Sequence, residues 1–150
     1  MQNIENSSLA ALLIGKIARA SECNVKFQFR ENSRYSEQDI TVPSEALVTI
    51  TGNLVDNALD SMNTSSSENK LLTVGIFTRP GEMLLTVQDT GHGIPDGFKD
   101  KIFENGFSTK GEGRGVGLYH TSQLVKSLGG EIFVESQIGM GVCFTVILKK

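Results

Sequence analysis

The chain has 150 residues, enough for one domain with a real core. Its 17 acidic and 14 basic side chains leave a net charge of -3, which argues against a dedicated nucleic-acid binder and against an anionic membrane surface as the main partner. The two cysteines, Cys23 and Cys143, stand far apart with no metal-type ligand beside them, so a disulfide framework or a zinc site is not expected and a reducing compartment fits.

Residues 1–7 are polar. From Ser8 to about Glu22 the residues Leu9, Leu13 and Ile17 recur at helical spacing. The longest apolar run, Leu9–Ile14, is far short of the roughly 20 residues that span a bilayer. Ala18-Arg19-Ala20 has the look of a cleavage site, but Glu5 ahead of the run and Lys16 after it give the wrong charge order for a secretory signal. Val25, Phe27 and Phe29 alternate with polar residues as in a half-buried strand, and Ile40–Val42 suggests a short edge strand. Pro43-Ser44 opens a helix to about Met62, with Ser44 as its expected cap. Leu72, Val74 and Ile76, then Met83, Leu85 and Val87, flank Arg79-Pro80-Gly81-Glu82 and predict an antiparallel hairpin. The stretch from Thr90 to Arg114 is Gly-rich and aperiodic, and a loop that long inside a compact domain is usually functional. A helix over Val116 to about Leu128 stops at Gly129-Gly130, and strands follow at Ile132–Val134 and Val142–Leu148. One apolar sheet face implies an α/β two-layer sandwich: a mixed, mostly antiparallel sheet with helices on one face.

Four constellations could carry chemistry. On the central helix Asn53 and Asn57 are four apart and share a face, with Asp56 and Asp60 nearby. Such a stripe can be a solvated face, or it can offer oxygen donors to a hard cation such as Mg²⁺, which a single Asn carbonyl would suit. Asp89-Thr90-Gly91-His92-Gly93-Ile94-Pro95 follows a strand. It reads as a tight turn, or as a carboxylate that accepts a purine amino group while the glycines bring bare backbone close. Phe103 and Phe107 lie in an otherwise polar loop, either as plugs for the core beneath or as parts of a lid. Gly111-Glu112-Gly113-Arg114-Gly115-Val116-Gly117-Leu118 runs into a helix, where exposed N–H groups, Lys110 and Arg114 could hold an anion. Its spacing fits neither a P-loop nor a dinucleotide-binding turn.

Each signal is weak alone, but their order is informative. Asn53…Asn57, Asp89-x-Gly91-x-Gly93, Phe103…Phe107 and Gly113-x-Gly115-x-Gly117 follow one another as the N, first glycine, Phe and second glycine boxes do. Over residues 8–150 the chain resembles the catalytic and ATP-binding domain of a sensor histidine kinase, with the Bergerat ATP-binding fold. Gly52–Asp60, Gly106–Gly111 and Arg114–Tyr119 are similar to the citrate and C4-dicarboxylate sensor branch, as is Leu12–Ala20.

The resemblance implies the following roles. Asn57 binds the Mg²⁺ bridging the ATP phosphates, with Asn53 assisting, and Asp89 receives the adenine amino group. Gly91, Gly93 and Ile94 lie against the base. Thr109, Lys110, Gly113, Arg114 and the amides of Gly115, Val116, Gly117 and Leu118 hold the phosphates, and residues from about 96 to 113 form the ATP lid. Asn53, Asn57 and Lys110 would be the catalytic set. Residues 1–22 are expected as an N-terminal helix, the tail of an upstream dimerisation region, with the ATP-binding domain at 23–150. The γ-phosphoryl group would pass to a histidine on dimerisation helices outside the chain and on to a response regulator. His92 and His120, the only histidines, lack the acidic helical setting of an acceptor. The fragment is expected to be cytoplasmic and monomeric, and its parent an inner-membrane sensor. Many kinases of this kind place a basic residue where Asp60 stands. Related ATPases of the gyrase type, and anti-sigma-factor serine kinases, are the alternatives. They place a Glu base where this chain has Asn53, and a carboxamide cannot serve as that base.

Overall fold

The computed structural model describes residues 3–63, 70–91, 115–137 and 141–149. Among them the chain forms α1 (Ser7–Glu22), β1 (Lys26–Phe29), α2 (Ser44–Asn63), β2 (Leu71–Arg79), β3 (Glu82–Gln88), α3 (Gly115–Ser127), β4 (Glu131–Gln137) and β5 (Gly141–Lys149). Local chemistry sets the limits of these elements. The Asn6 side chain caps α1 by accepting from the Leu9 amide at 2.9 Å. Asn24, at φ 60°, ends that helix, and the Val25 amide reaches back to the Ala20 carbonyl at 2.8 Å. α3 stops in the same way. Gly129 takes φ 77°, while the Gly130 amide bonds the Val125 carbonyl and the Gly129 amide that of Lys126.

The five strands form one sheet in the order β1-β2-β3-β5-β4. β1 and β2 pair in parallel, which requires the α2 crossover, and the remaining pairs are antiparallel. Pro80 and Gly81 close the β2–β3 hairpin, and Gly81 takes φ 79°, as the second central residue of a type II turn does. Leu72, Val74 and Ile76 of β2, Met83, Leu85 and Val87 of β3, and Phe144, Val146 and Leu148 of β5 are all buried in one core with Leu47, Ile50, Leu54 and Leu59 of α2. Each such side chain contributes about 1.5–3 kcal/mol on burial. Together they fix how α2 is rotated, and so where its polar face points. The mixed sheet with helices on one face is the α/β sandwich expected from the strand alternation.

The structure departs from expectation in two places. Ile40–Val42 is not a strand. Ile40 and Val42 alternate because both fill the core, while the backbone beside them turns, with the Asp39 and Ile40 amides donating to the Ser36 carbonyl. Ser44 is the first residue of α2 rather than a cap outside it, and its hydroxyl accepts from the Asn6 amide group at 3.1 Å. α1 packs onto the same core, for Leu9, Leu13 and Ala20 are buried with the residues of the sheet.

Candidate functional site

Asn53, Asn57 and Ser61 are successive residues of an i, i+4 stripe along α2. The buried apolar face of the helix lies opposite, so the stripe faces α3 and the end of β3. At its N-terminal end Asn53 donates from Nδ2 to Thr121 Oγ1 on α3 at 3.0 Å, and Thr121 is fully buried. At its C-terminal end Ser61 meets the turn after β3, for a Cβ on Gly91 would stand 2.5 Å from Ser61 Oγ. Asn57 therefore lies between α3 and that turn.

The turn holds the most distinctive charge of the site. Asp89 follows β3 and is 2% exposed. Its Oδ1 accepts from the Gly91 amide at 2.8 Å. The start of β5 presses on it from the other side. Gly141, at φ 90°, approaches so closely that a Cβ there would be 2.0 Å from the Asp89 carbonyl oxygen, and the Asp89 amide donates to the Val142 carbonyl at 2.9 Å. Thr90 completes the turn, its hydroxyl accepting from the Leu71 amide at 3.1 Å. A carboxylate held this firmly at the floor of the site presents a fixed acceptor, which suits the recognition of an amino group.

The structure thus brings together Asn53, Asn57, Asp89 and Gly91, and it places Gly115, Val116, Gly117 and Leu118 at the N-terminal end of α3. Gly93, Ile94, Thr109, Lys110, Gly113 and Arg114, the Phe103…Phe107 box and the expected lid lie outside the described residues. Four contributors were not read from sequence. Thr121 is a contact of the stripe and Ser61 its last member, and no motif marks either. Lys16 and Arg19 of α1 pair with Asp56, at 2.7 and 2.5 Å, and Arg19 reaches Asp60 at 3.5 Å. The site can be tested against Mg²⁺ by its donor set. Among the described residues no three His, Cys, Asp or Glu side chains converge on a metal position. One carboxamide oxygen at Asn57 fits an ion that keeps its waters and arrives with phosphates.

An open mixed sheet, a polar stripe on the crossover helix and a buried acid at the end of β3 define a Bergerat-type α/β sandwich. The chain belongs to the histidine kinase-, DNA gyrase B- and HSP90-like ATPase family, whose profile matches residues 43–150. It is 38% identical over 151 aligned residues, covering 100% of the chain, to a probable C4-dicarboxylate sensor kinase of Halalkalibacterium halodurans, and spans 28% of that protein. It is 37% identical to the sensor protein CitS of Bacillus subtilis, over 99% of the chain and 27% of that protein. The chain therefore spans little more than a quarter of the length of these relatives. Among solved structures, the nucleotide-free catalytic domain of the histidine kinase ThkA superposes with a TM-score of 0.76 at 23% identity, over 97% of this chain and 93% of that one.

Proposed function

We propose that this domain binds Mg·ATP and presents its γ-phosphoryl group to a histidine on dimerisation helices outside the chain, in two-component signalling. In this reading Asp89 accepts the adenine amino group, and Gly91 and Gly93 let the base lie against backbone, with Ile94 beside it. Asn57 offers its carboxamide oxygen to Mg²⁺, with Asn53 assisting from one turn away. Lys110, Arg114, Thr109, Gly113 and the amides at the start of α3 take the phosphates. Magnesium, when bound, offsets phosphate charge, and phosphoryl transfer otherwise rests on positioning.

The observation that carries the reading is Asn53. It stands where water-activating relatives place Glu, and its amide group donates to Thr121, so no base is aimed at a water from this position. Loss of the γ-phosphoryl group to solvent should then be slow and transfer to a positioned histidine preferred. A cognate response regulator would receive the group next. The kinship with sensor kinases supports a cytoplasmic site of action beneath a membrane-anchored parent. Among the described residues no helix is long and apolar enough to cross a membrane.

Mixing the chain with excess dimerisation helices of a related sensor kinase and γ-labelled ATP tests the proposal. Acid-labile, base-stable label on a helix histidine is expected. Label on Ser or Thr, or rapid release of phosphate to water with no transfer, would overturn it.

A further inference from the structure

The acids of α2 flank the carboxamides. Asp56 and Asp60 each lie three residues beyond a member of the Asn53/Asn57 stripe, which turns them about 60 degrees from it, toward α1. Two uncompensated carboxylates beside a triphosphate held at that stripe would repel it, since like charges act on one another over the Debye length, about 8 Å at physiological salt. α1 answers both charges. Lys16 Nζ and Arg19 Nη1 converge on Asp56 Oδ1, and the other Arg19 nitrogen reaches Asp60. α1 runs close beside α2 here, for a Cβ at Gly52 would lie in ordinary contact with Leu12 at 3.7 Å and with the Lys16 stem at 4.0 Å.

The side chains of this group retain between 19% and 42% of their exposure, and ion pairs this open add little to stability. Holding the fold together is therefore a poor account of them. We propose that Lys16 and Arg19 are positioning residues for the nucleotide: they cancel Asp56 and Asp60 and keep both carboxylates turned from the Asn53/Asn57 stripe, so that α1 supplies the positive charge that α2 lacks at position 60. This rests on the Mg·ATP reading above. It also makes α1 a structural part of the site rather than a lead-in to it.

The test compares Mg·ATP with adenosine, which carries no phosphate, by calorimetric titration of the parent chain, Arg19→Gln and Arg19→Gln/Asp60→Asn. Arg19→Gln is expected to weaken Mg·ATP by about threefold to tenfold while leaving adenosine within about twofold. The double variant, with one charge of each sign removed, is expected to recover Mg·ATP binding to within about twofold. Urea midpoints should stay close to that of the parent. Equal weakening of both ligands by Arg19→Gln would mean general loosening and overturn the proposal. So would unchanged Mg·ATP binding, or failure of the double variant to recover. A parent chain that binds neither ligand would instead overturn the nucleotide reading itself.

Discussion

Gly141→Ala should damage both stability and the site, and the structure allows the cost to be worked out. Gly141 sits at φ 90°, and a Cβ there would stand 2.0 Å from the Asp89 carbonyl oxygen, 2.9 Å from its carbonyl carbon and 3.0 Å from Thr90 Cα. All three are backbone atoms, so no rotamer change relieves the overlap. The left-handed conformation alone costs an L-residue about 1–2 kcal/mol. Moving the end of β3 away sacrifices the hydrogen bond from the Asp89 amide to the Val142 carbonyl, worth about 0.5–1.5 kcal/mol net. The sum, about 1.5–3.5 kcal/mol, is large against the roughly 5–15 kcal/mol of a whole domain. With a urea slope near 2 kcal/mol/M it would lower the unfolding midpoint by about 1–2 M. Gly129→Ala is the control: φ is 77° there too, but nothing lies within 4 Å of the added Cβ, so only the conformational cost applies. Because Gly141 presses on Asp89, its variant should also lose ATP affinity, which Gly129→Ala should keep. Equal urea midpoints and equal ATP affinities for the two variants would refute the role assigned to this contact.

Asp89→Asn keeps an acceptor for the Gly91 amide but removes the charge. ATP affinity should fall by about tenfold or more, for a hydrogen bond to a charged acceptor worth about 1.5–3 kcal/mol, with the circular dichroism spectrum unchanged. Unaltered binding would contradict the adenine assignment. Thr121→Val deprives Asn53 Nδ2 of its acceptor. Asn53 is only half-buried, so chemical denaturation should show a modest loss of about 0.5–1.5 kcal/mol, and a larger one would point to a further role for Thr121. Cys143 adds a pH dependence. Burial raises its thiol above the ordinary 9.0, outweighing the opposite pull of the Thr145 hydrogen bond and the Arg30 charge, and Glu135 and Asp89 add to the rise. The folded chain thus holds this proton to higher pH than the unfolded chain does, so the stability it contributes is intact below pH 9.0 and is lost as pH rises through the folded value. Urea midpoints measured from pH 8 upward should fall less steeply for Cys143→Ala than for the parent, and identical slopes would contradict the assignment.

The parts of the fold that were legible in sequence are those where a local pattern and a tertiary requirement coincide. Met83, Leu85 and Val87 alternate because one sheet face is buried, and Pro80-Gly81 suits the turn that joins β2 to β3. Ile40 and Val42 alternate for another reason, filling the core from an unpaired segment, and alternation alone cannot separate the two cases. The order of the boxes pointed to Asn53, Asn57, Asp89 and Gly91 as a group, and the structure gathers them around one α2 stripe. It could not show Thr121 or Arg19 as contributors. Asn53 and Thr121 are 68 positions apart, and Arg19 and Asp56 are 37 apart. Such pairs depend on how neighbouring helices are rotated, which the burial of Leu54, Leu59 and Leu13 decides rather than any local signature. The close approach of Gly141 to Asp89 is hidden for the same reason, since a glycine at a strand start has many uses.

The most direct test of the account is a crystal structure of the chain grown with magnesium and a nonhydrolysable ATP analogue. The adenine amino group should lie within hydrogen-bonding reach of the Asp89 carboxylate, with the metal on the Asn57 oxygen and the phosphates toward the N-terminal end of α3. A nucleobase bound away from Asp89, or phosphates on the far side of the sheet, would contradict it.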